Sequence, residues 1–490
     1  WSVEGNKLTL NIKTTADKYP LSVAPTLAFT APGVSNGGAS ITATSANYQF
    51  GEAMATGDLN ADGKTDLAVG AWGGFSSTSS RFVYIFYNDG RYTSVSDTAD
   101  VIIQTTDVTD HFGRALAVGD LNTDGKVDLI VGAQNASRAY IFYNDGSYPA
   151  TSAGADVTIT TNTGSEFATG DLNADGRTDL IIGETSVTTN TGKVDILYND
   201  GSLPTNVASA DVTITGETTN NYFGWSLATG DLNADGKIDL AVGAFGYSTN
   251  AGRVYIFYND GSIPTTAATA DVSITSTGSD GFGNKIATGD LNADGKTDLF
   301  GGGDINSYGL VYIFYNDGAY PTSVSSADVN ISNASNTTSK FGWALNAADF
   351  NGDGRADMAV GAYGYSSTTG RTYIFYNDGA YPSNGSGADV MITGEGSSTA
   401  FGRALASGDM NADGKIDLVV SAEDYGATDG KAYIFYSQNG VLNTNRNIAG
   451  EAGSGLGSAL VAGDFNADGR VDLVVGANTY SSHTGRTYIF

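Results

Sequence analysis

Residues 222–244 read YFGWSLATGDLNADGKIDLAVGA, and the nine residues from Asp231 to Asp239 at their centre decide the fold because they recur. The pattern Asp-x-Asn-x-Asp-Gly-x-x-Asp opens at Asp58, Asp120, Asp171, Asp231, Asp290, Asp349, Asp409 and Asp464, with steps of 62, 51, 60, 59, 59, 60 and 55 residues. A fixed spacing of this length is the mark of a repeat architecture, and one period has room for four strands with their turns.

Working outward from the acidic loop of the fourth copy, the sequence predicts strands over 222–229 and 240–244. Two more follow, at 254–258 (VYIFY), rich in β-branched and aromatic residues, and at 270–275 (ADVSIT), which alternates apolar and polar. Asn259-Asp260-Gly261 carries a tight-turn signal and recurs as YNDG in copies one to six. No stretch sustains a helical period. The predicted fold is all-β, a β-propeller of four-stranded antiparallel blades, because radial repetition of such units protects sheet edges. Eight blades follow if the ends share one: the last copy stops on its third strand at Tyr488-Ile489-Phe490, and Ala39 to Thr44 (ASITAT) resembles the missing fourth. Seven blades with a leftover unit is the alternative. Residues 1–38 fall outside the array, where Leu8, Leu10 and Ile12 alternate with Lys7, Thr9 and Asn11 as in a half-buried strand. They read as a β extension that pairs with a neighbour or as the tail of a preceding domain, and residues 39–490 as the propeller.

The 490 residues carry 24 Lys and Arg against 53 Asp and Glu, a net charge of −29, which argues against nucleic acid as a partner. Hydrophobic residues at 40% give too much burial capacity for a disordered acidic chain. No apolar run approaches the ~20 residues of a membrane-spanning helix. The chain opens on Trp1 with neither initiator Met nor a signal-peptide apolar region, which points to a processed or trimmed N-terminus. Without Cys, and with His111 and His483 as the only imidazoles, disulfides, thiolate chemistry and zinc-thiolate sites are excluded. The available chemistry is that of oxygen.

Oxygen donors at alternating positions suit a hard cation, and Gly at position 6 permits a sharp turn. Calcium is the predicted occupant, at about eight sites, because magnesium demands stricter octahedral geometry and keeps its waters. The side-chain donors stand at positions 1, 3, 5 and 9, with the backbone carbonyl of position 7 completing each set by analogy with other Asp-rich loops. The sets are Asp58, Asn60, Asp62, Lys64 and Asp66; Asp120, Asn122, Asp124, Lys126 and Asp128; Asp171, Asn173, Asp175, Arg177 and Asp179; and Asp231, Asn233, Asp235, Lys237 and Asp239. The remaining four are Asp290, Asn292, Asp294, Lys296 and Asp298; Asp349, Asn351, Asp353, Arg355 and Asp357; Asp409, Asn411, Asp413, Lys415 and Asp417; and Asp464, Asn466, Asp468, Arg470 and Asp472. One copy alone would equally suit a hairpin whose acids cap backbone amides. Eight copies with Asp at positions 1, 5 and 9 each time do not follow from turn chemistry. These loops hold 24 of the 53 acids, and eight divalent ions would take the charge from −29 to −13. Without metal, three crowded carboxylates repel and raise one another's pKa values, so calcium should stabilise the array.

The repeat resembles the FG-GAP repeat, the blade unit of the integrin α-subunit propeller and of many microbial surface proteins, over about nine tenths of the chain. Phe-Gly pairs stand at Phe50-Gly51, Phe112-Gly113, Phe223-Gly224, Phe282-Gly283, Phe341-Gly342 and Phe401-Gly402, each eight residues before the first Asp of a loop. The Gly-Ala half stands at Gly70-Ala71, Gly132-Ala133, Gly243-Ala244, Gly361-Ala362 and Gly476-Ala477. The resemblance implies a calcium-loaded propeller on an extracellular or cell-surface protein. The third copy departs, reading SEFATGD without Phe-Gly; the eighth has Leu456-Gly457, the fifth has Gly301-Gly302-Gly303, and no copy has the Pro of a full Gly-Ala-Pro. Integrins have seven blades, so their ligand recognition is not carried over. The expected structural roles are Phe packing between blades, small Gly and Ala fitting the crowded axis, and YIFY strands forming core.

Alternating strand directions put the acidic loop and the YNDG turn at one face and the more variable connections at the other. The variable face carries Trp72, Phe75, Phe245, Tyr247, Tyr308, Tyr363, Tyr365, Tyr425 and Tyr480 among Gly, Ser, Thr and Asn, a mixture suited to adaptable recognition. The expected function is non-enzymatic: a cell-surface adhesion or recognition module binding protein or glycan there. The alternatives are a self-associating building block of a surface layer, sheath or filament, and a non-catalytic domain of a larger secreted enzyme. Neither His lies in a recurring site, and no HExxH motif occurs.

Overall fold

The computed structural model describes residues 2–4, 7–9, 39–42, 53–63, 66–72, 81–87, 99–105, 110–162, 165–303, 309–333, 338–394, 400–408, 415–422, 431–438, 441–449, 456–463, 472–477 and 486–489. The chain divides into two units, Trp1–Ser35 and Asn36–Phe490. In the first, Ser2–Glu4 pairs antiparallel with Lys7–Thr9, with Val3 opposite Leu8. The predicted continuation through Leu10 and Ile12 lies outside the described residues.

The second unit is a β-propeller of four-stranded antiparallel sheets, all but one of those described a simple meander. In the fourth, Ser226–Gly230, Asp239–Ala244, Arg253–Phe257 and Val272–Thr275 pair in order, with Leu240 opposite Phe257 and Val254 opposite Ile274. The second and third strands read as nearly continuous apolar runs because sheets cover both of their faces: every residue of Asp239–Ala244 is buried. Eight such sheets occur among the described residues. Within one of them Ala39–Thr42 pairs antiparallel with Arg486–Ile489, from Ala39 opposite Ile489 to Thr42 opposite Arg486. This is the pairing expected for the strand at Ala39; Ala43 and Thr44 lie outside the described residues. The first strand of each sheet touches that of the next, and the first strand of the shared sheet, Leu456–Gly463, touches Met54–Gly57 of the first.

Core lies between neighbouring sheets. Leu232, Val254 and Ile256 of the fourth repeat pack with Phe282, Leu299 and Phe314 of the fifth, all of them fully buried. The ring of Phe282 meets Tyr312 edge-on at 5.3 Å, and Phe223, Phe341 and Phe401 meet Tyr255, Tyr373 and Tyr433 in the same way. The Phe of each described Phe-Gly pair is therefore interblade core, as the sequence suggests.

Two expectations are corrected. In the fourth copy residues 222–225 are not strand: the ladder begins at Ser226, because Phe223 N–H donates instead to Thr191 O of the preceding sheet at 3.2 Å. The glycine of each Gly-Ala pair does not serve the axis either. Gly243 and Gly361 lie where a β-carbon would come within 2.1 and 2.0 Å of the carbonyl oxygens of Gly283 and Gly402 in the next repeat. These glycines exist for backbone contact between blades, and the Phe-Gly glycines also need positive φ, +91° at Gly283.

Candidate metal loops and the opposite face

Each acidic loop among the described residues follows the end of a first strand and closes on its own backbone. In the fourth copy Asp231 Oδ1 accepts from Asp235 N at 3.0 Å and Oδ2 from Gly236 N at 2.9 Å. Asn233 Oδ1 accepts from Asp235 N, and Asp235 Oδ1 from Lys237 N, both at 2.9 Å. The loops opening at Asp120, Asp171, Asp290 and Asp349 repeat these bonds. The sharp path needs two left-handed residues, Gly236 (φ 85°) and Ala234 (φ 58°); the sixth copy places Gly352 at the latter position.

The ninth residue begins the second strand and is fully buried. Asp239 Oδ2 accepts from Leu232 N and Oδ1 from Asn259 N, both at 2.8 Å. Burial pushes its carboxyl up to about 6, the two backbone donors pull it back, and Asp235 and Asp231 add like-charge repulsion. Asp128, Asp179, Asp298 and Asp357 are likewise raised to about 6, with burial the largest cause.

In the five complete loops positions 1, 3 and 5 bond to the loop backbone, and position 9 bonds to the backbone of the loop and of the YNDG turn. In the first loop Asp58, Asn60, Asp62 and Asp66 are described and Lys64 is not. Asp409, Asn411, Asp413, Asp464, Asn466, Asp468 and Arg470 lie outside the described residues, and Lys415, Asp417 and Asp472 within them. Among the described residues no three His, Cys, Asp or Glu side chains are gathered tightly enough to enclose a metal ion. The donor chemistry nonetheless fits a hard cation: every side-chain donor is oxygen, and in the loops opening at Asp120, Asp171, Asp231 and Asp290 each backbone-bonded carboxylate oxygen accepts a single backbone N–H and retains a second lone pair.

Sequence reasoning used only the backbone of position 7, yet its side chain has a task. Lys126, Lys237 and Lys296 Nζ donate to the carbonyls of Asn144, Asn259 and Asn316 at 3.0, 2.9 and 3.0 Å, and the Arg177 and Arg355 guanidiniums do the same to Asn199 and Asn377. A basic residue at position 7 of all eight copies was the available signal. The Asn of YNDG was missed as well. Its side chain reaches back to position 1 of the previous repeat, Asn144 Nδ2 to Asp58 O at 3.0 Å and Asn316 Nδ2 to Asp231 O at 3.2 Å. Loop and turn therefore share one face, as strand alternation requires.

The opposite face lies where the first strands begin. Trp225 is 43% exposed there and packs edge-on against Phe245 at 4.7 Å, while Trp343 meets Tyr363 at 5.0 Å. The guanidiniums of Arg253 and Arg371 stack on Tyr247 and Tyr365 at 3.7 and 3.8 Å. Phe245, Tyr247, Tyr363 and Tyr365 are half-buried, but Trp72 is 2% exposed and packs edge-on against His111 at 4.7 Å. Phe75, Tyr308, Tyr425, Tyr480 and His483 lie outside the described residues. Among those described, no helix is long and apolar enough to cross a membrane.

Comparison with known proteins matches the FG-GAP repeat at residues 223–257 and 341–375, and the FG-GAP-like repeat at 58–131, 120–182 and 409–475. The bovine (Bos taurus) phosphatidylinositol-glycan-specific phospholipase D is 30% identical over 297 residues, covering 52% of this chain and 35% of that protein. Mouse (Mus musculus) integrin alpha-IIb is 35% identical over 31% of this chain and 16% of its own length, and mouse integrin alpha-E 34% identical over 30% and 14%. The chain spans about a third or less of the length of these relatives.

Proposed function

Because the chain carries FG-GAP repeats, we propose that it works outside the cell as a calcium-stabilised, eight-bladed propeller whose face opposite the acidic loops recognises a protein or a glycan. The contrast between the two ends of the first strands carries this reading. One end presents the same acidic loop again and again; the other presents aromatic and cationic side chains that differ from blade to blade, with Trp225 the most open of the aromatics. Closure with eight blades is supported by the pairing of Ala39–Thr42 with Arg486–Ile489.

Calcium is supported by the all-oxygen donor sets and by the repulsion among Asp231, Asp235 and Asp239. When bound, the ion would offset two of the three carboxylate charges in each loop, held by positions 1, 3, 5 and 9 and the carbonyl of position 7. An extracellular setting is supported by the integrin matches. The phospholipase match covers 35% of that enzyme, and the role of this chain is proposed to be non-catalytic.

A second reading, a self-associating building block, is favoured by the separate N-terminal unit, because a hairpin of two three-residue strands is not stable alone and gains from a further strand. Native mass spectrometry in calcium tests the metal, and an array of glycans and extracellular proteins tests recognition. Concentration-dependent assembly of the full chain with a silent array would favour the building block.

A further inference from the structure

The junction between the second and third repeats differs from the five other junctions whose glycine contacts are described. Gly70, Gly183, Gly243, Gly302 and Gly361 each abut the Phe-Gly glycine of the following repeat. The third repeat has no such pair, and a β-carbon on Gly132 would instead meet the ring of Phe167 at 2.9 Å. A cavity of about 290 Å³ opens beside this junction. Its walls come from the starts of four consecutive first strands and the residues just before them: Arg114 in the second sheet, Glu166 in the third, Trp225 ahead of the fourth, and Asn284 and Lys285 at the fifth, with Gln134 behind. It therefore sits on the inner rim of the second to fifth blades, on the face away from the acidic loops.

The lining selects a chemistry. Two cations face one carboxylate in a chain whose net charge is −29, a local reversal that favours an anion. Arg114 and Lys285 are both exposed, as is Glu166. An indole face beside amides and a carboxylate matches a sugar ring, whose C–H face packs on the aromatic while its hydroxyls take the planar hydrogen-bonding groups. A peptide would call for apolar side-chain pockets, and Ala115 and Gly132 are the apolar lining here. We infer that this cavity binds a saccharide bearing a carboxylate, with Arg114 and Lys285 taking the acid group, Trp225 the ring face, and Glu166 and Asn284 the hydroxyls. The inference rests on the reading that this face is the recognising one.

Calorimetry on the full chain in calcium would use three probes: a glucuronate-terminated disaccharide, its carboxyl-reduced neutral counterpart, and an acidic pentapeptide. The acidic disaccharide is expected to bind with quenching of indole fluorescence, and the neutral one at least about tenfold more weakly, the worth of one charge-assisted contact. Arg114→Gln and Lys285→Gln should each weaken the acidic probe by about tenfold, and Trp225→Ala should abolish the quench. Because Arg114 also lies over the Trp72 ring at 5.0 Å, the Lys285 variant separates loss of contact from loss of fold. Equal affinity for both disaccharides, tighter binding of the pentapeptide, or binding indifferent to all three substitutions would overturn the assignment. Array ligands that survive the substitutions would overturn this cavity while sparing the broader reading; an array silent throughout would sink both.

Discussion

A β-carbon placed on Gly243 would lie 2.1 Å from the carbonyl oxygen of Gly283 in the next repeat and 2.2 Å from Ser226 Oγ. The two backbones meet with no room for a side chain. Gly243→Ala must force the fourth and fifth sheets apart, and we expect a loss of about 2–4 kcal/mol. Gly261→Ala is the control: its turn has open space around it, so only the cost of a positive φ, about 1 kcal/mol, is expected. Urea unfolding midpoints of the two variants compare them, and equal losses would refute the contact.

Phe282 is completely buried between sheets, with Tyr312 at 5.3 Å and Phe314 at 5.9 Å. Phe282→Ala should cost about 3–5 kcal/mol through lost burial and a cavity the neighbouring sheets cannot close. A calorimetric scan with an unchanged transition would contradict its place in the core.

Chelation is expected to lower the melting temperature clearly, since the loop carboxylates are then left to repel one another. Asp235→Asn should divide the two conditions. In calcium it removes a ligand and lowers the melting temperature; in chelator it removes a charge beside Asp231 and Asp239 and should leave the melting temperature equal or higher. The same sign of change in both conditions would count against a metal in this loop.

His111 supplies a pH dependence of its own. Burial, then Arg81 and Arg114, hold its imidazole down to about 4, against 6.5 when unperturbed. The unfolded chain therefore takes up more protons than the native one between those values, so stability rises with pH through that window. The contribution is complete above pH 6.5 and is lost as pH falls toward 4, about 1–3 kcal/mol in all. His111→Asn, which tolerates the φ of +56°, should flatten the difference between pH 7 and pH 4.5. Parallel melting curves for the two proteins across this range would disprove it.

The elements legible in the sequence were those set by local chemistry. The spacing of the Asp residues placed the loops, and the β-branched and aromatic runs placed the second and third strands, because burial on both faces leaves a continuous apolar record. What escaped depended on a neighbouring repeat. Phe223 leaves its own ladder for a bond to Thr191, and Gly243 is small on account of Gly283, contacts that no local period reports. Trp72 was legible as a loop aromatic, but its burial against His111 depends on a residue 39 positions later. The side-chain bond of Lys237 escaped for a different reason: its repetition is visible, but nothing local to the loop shows that its ammonium donates to the carbonyl of Asn259.

Gly132 keeps the small residue of its class although the repeat after it offers a phenylalanine ring where others offer a glycine backbone. An in-frame deletion of the third repeat would set Gly132 against Gly224, a joint of the ordinary kind. Nothing in the individual joints therefore counts repeats. Among the described junctions the third copy is the one that breaks the glycine-to-glycine seam, and the cavity lies beside that break.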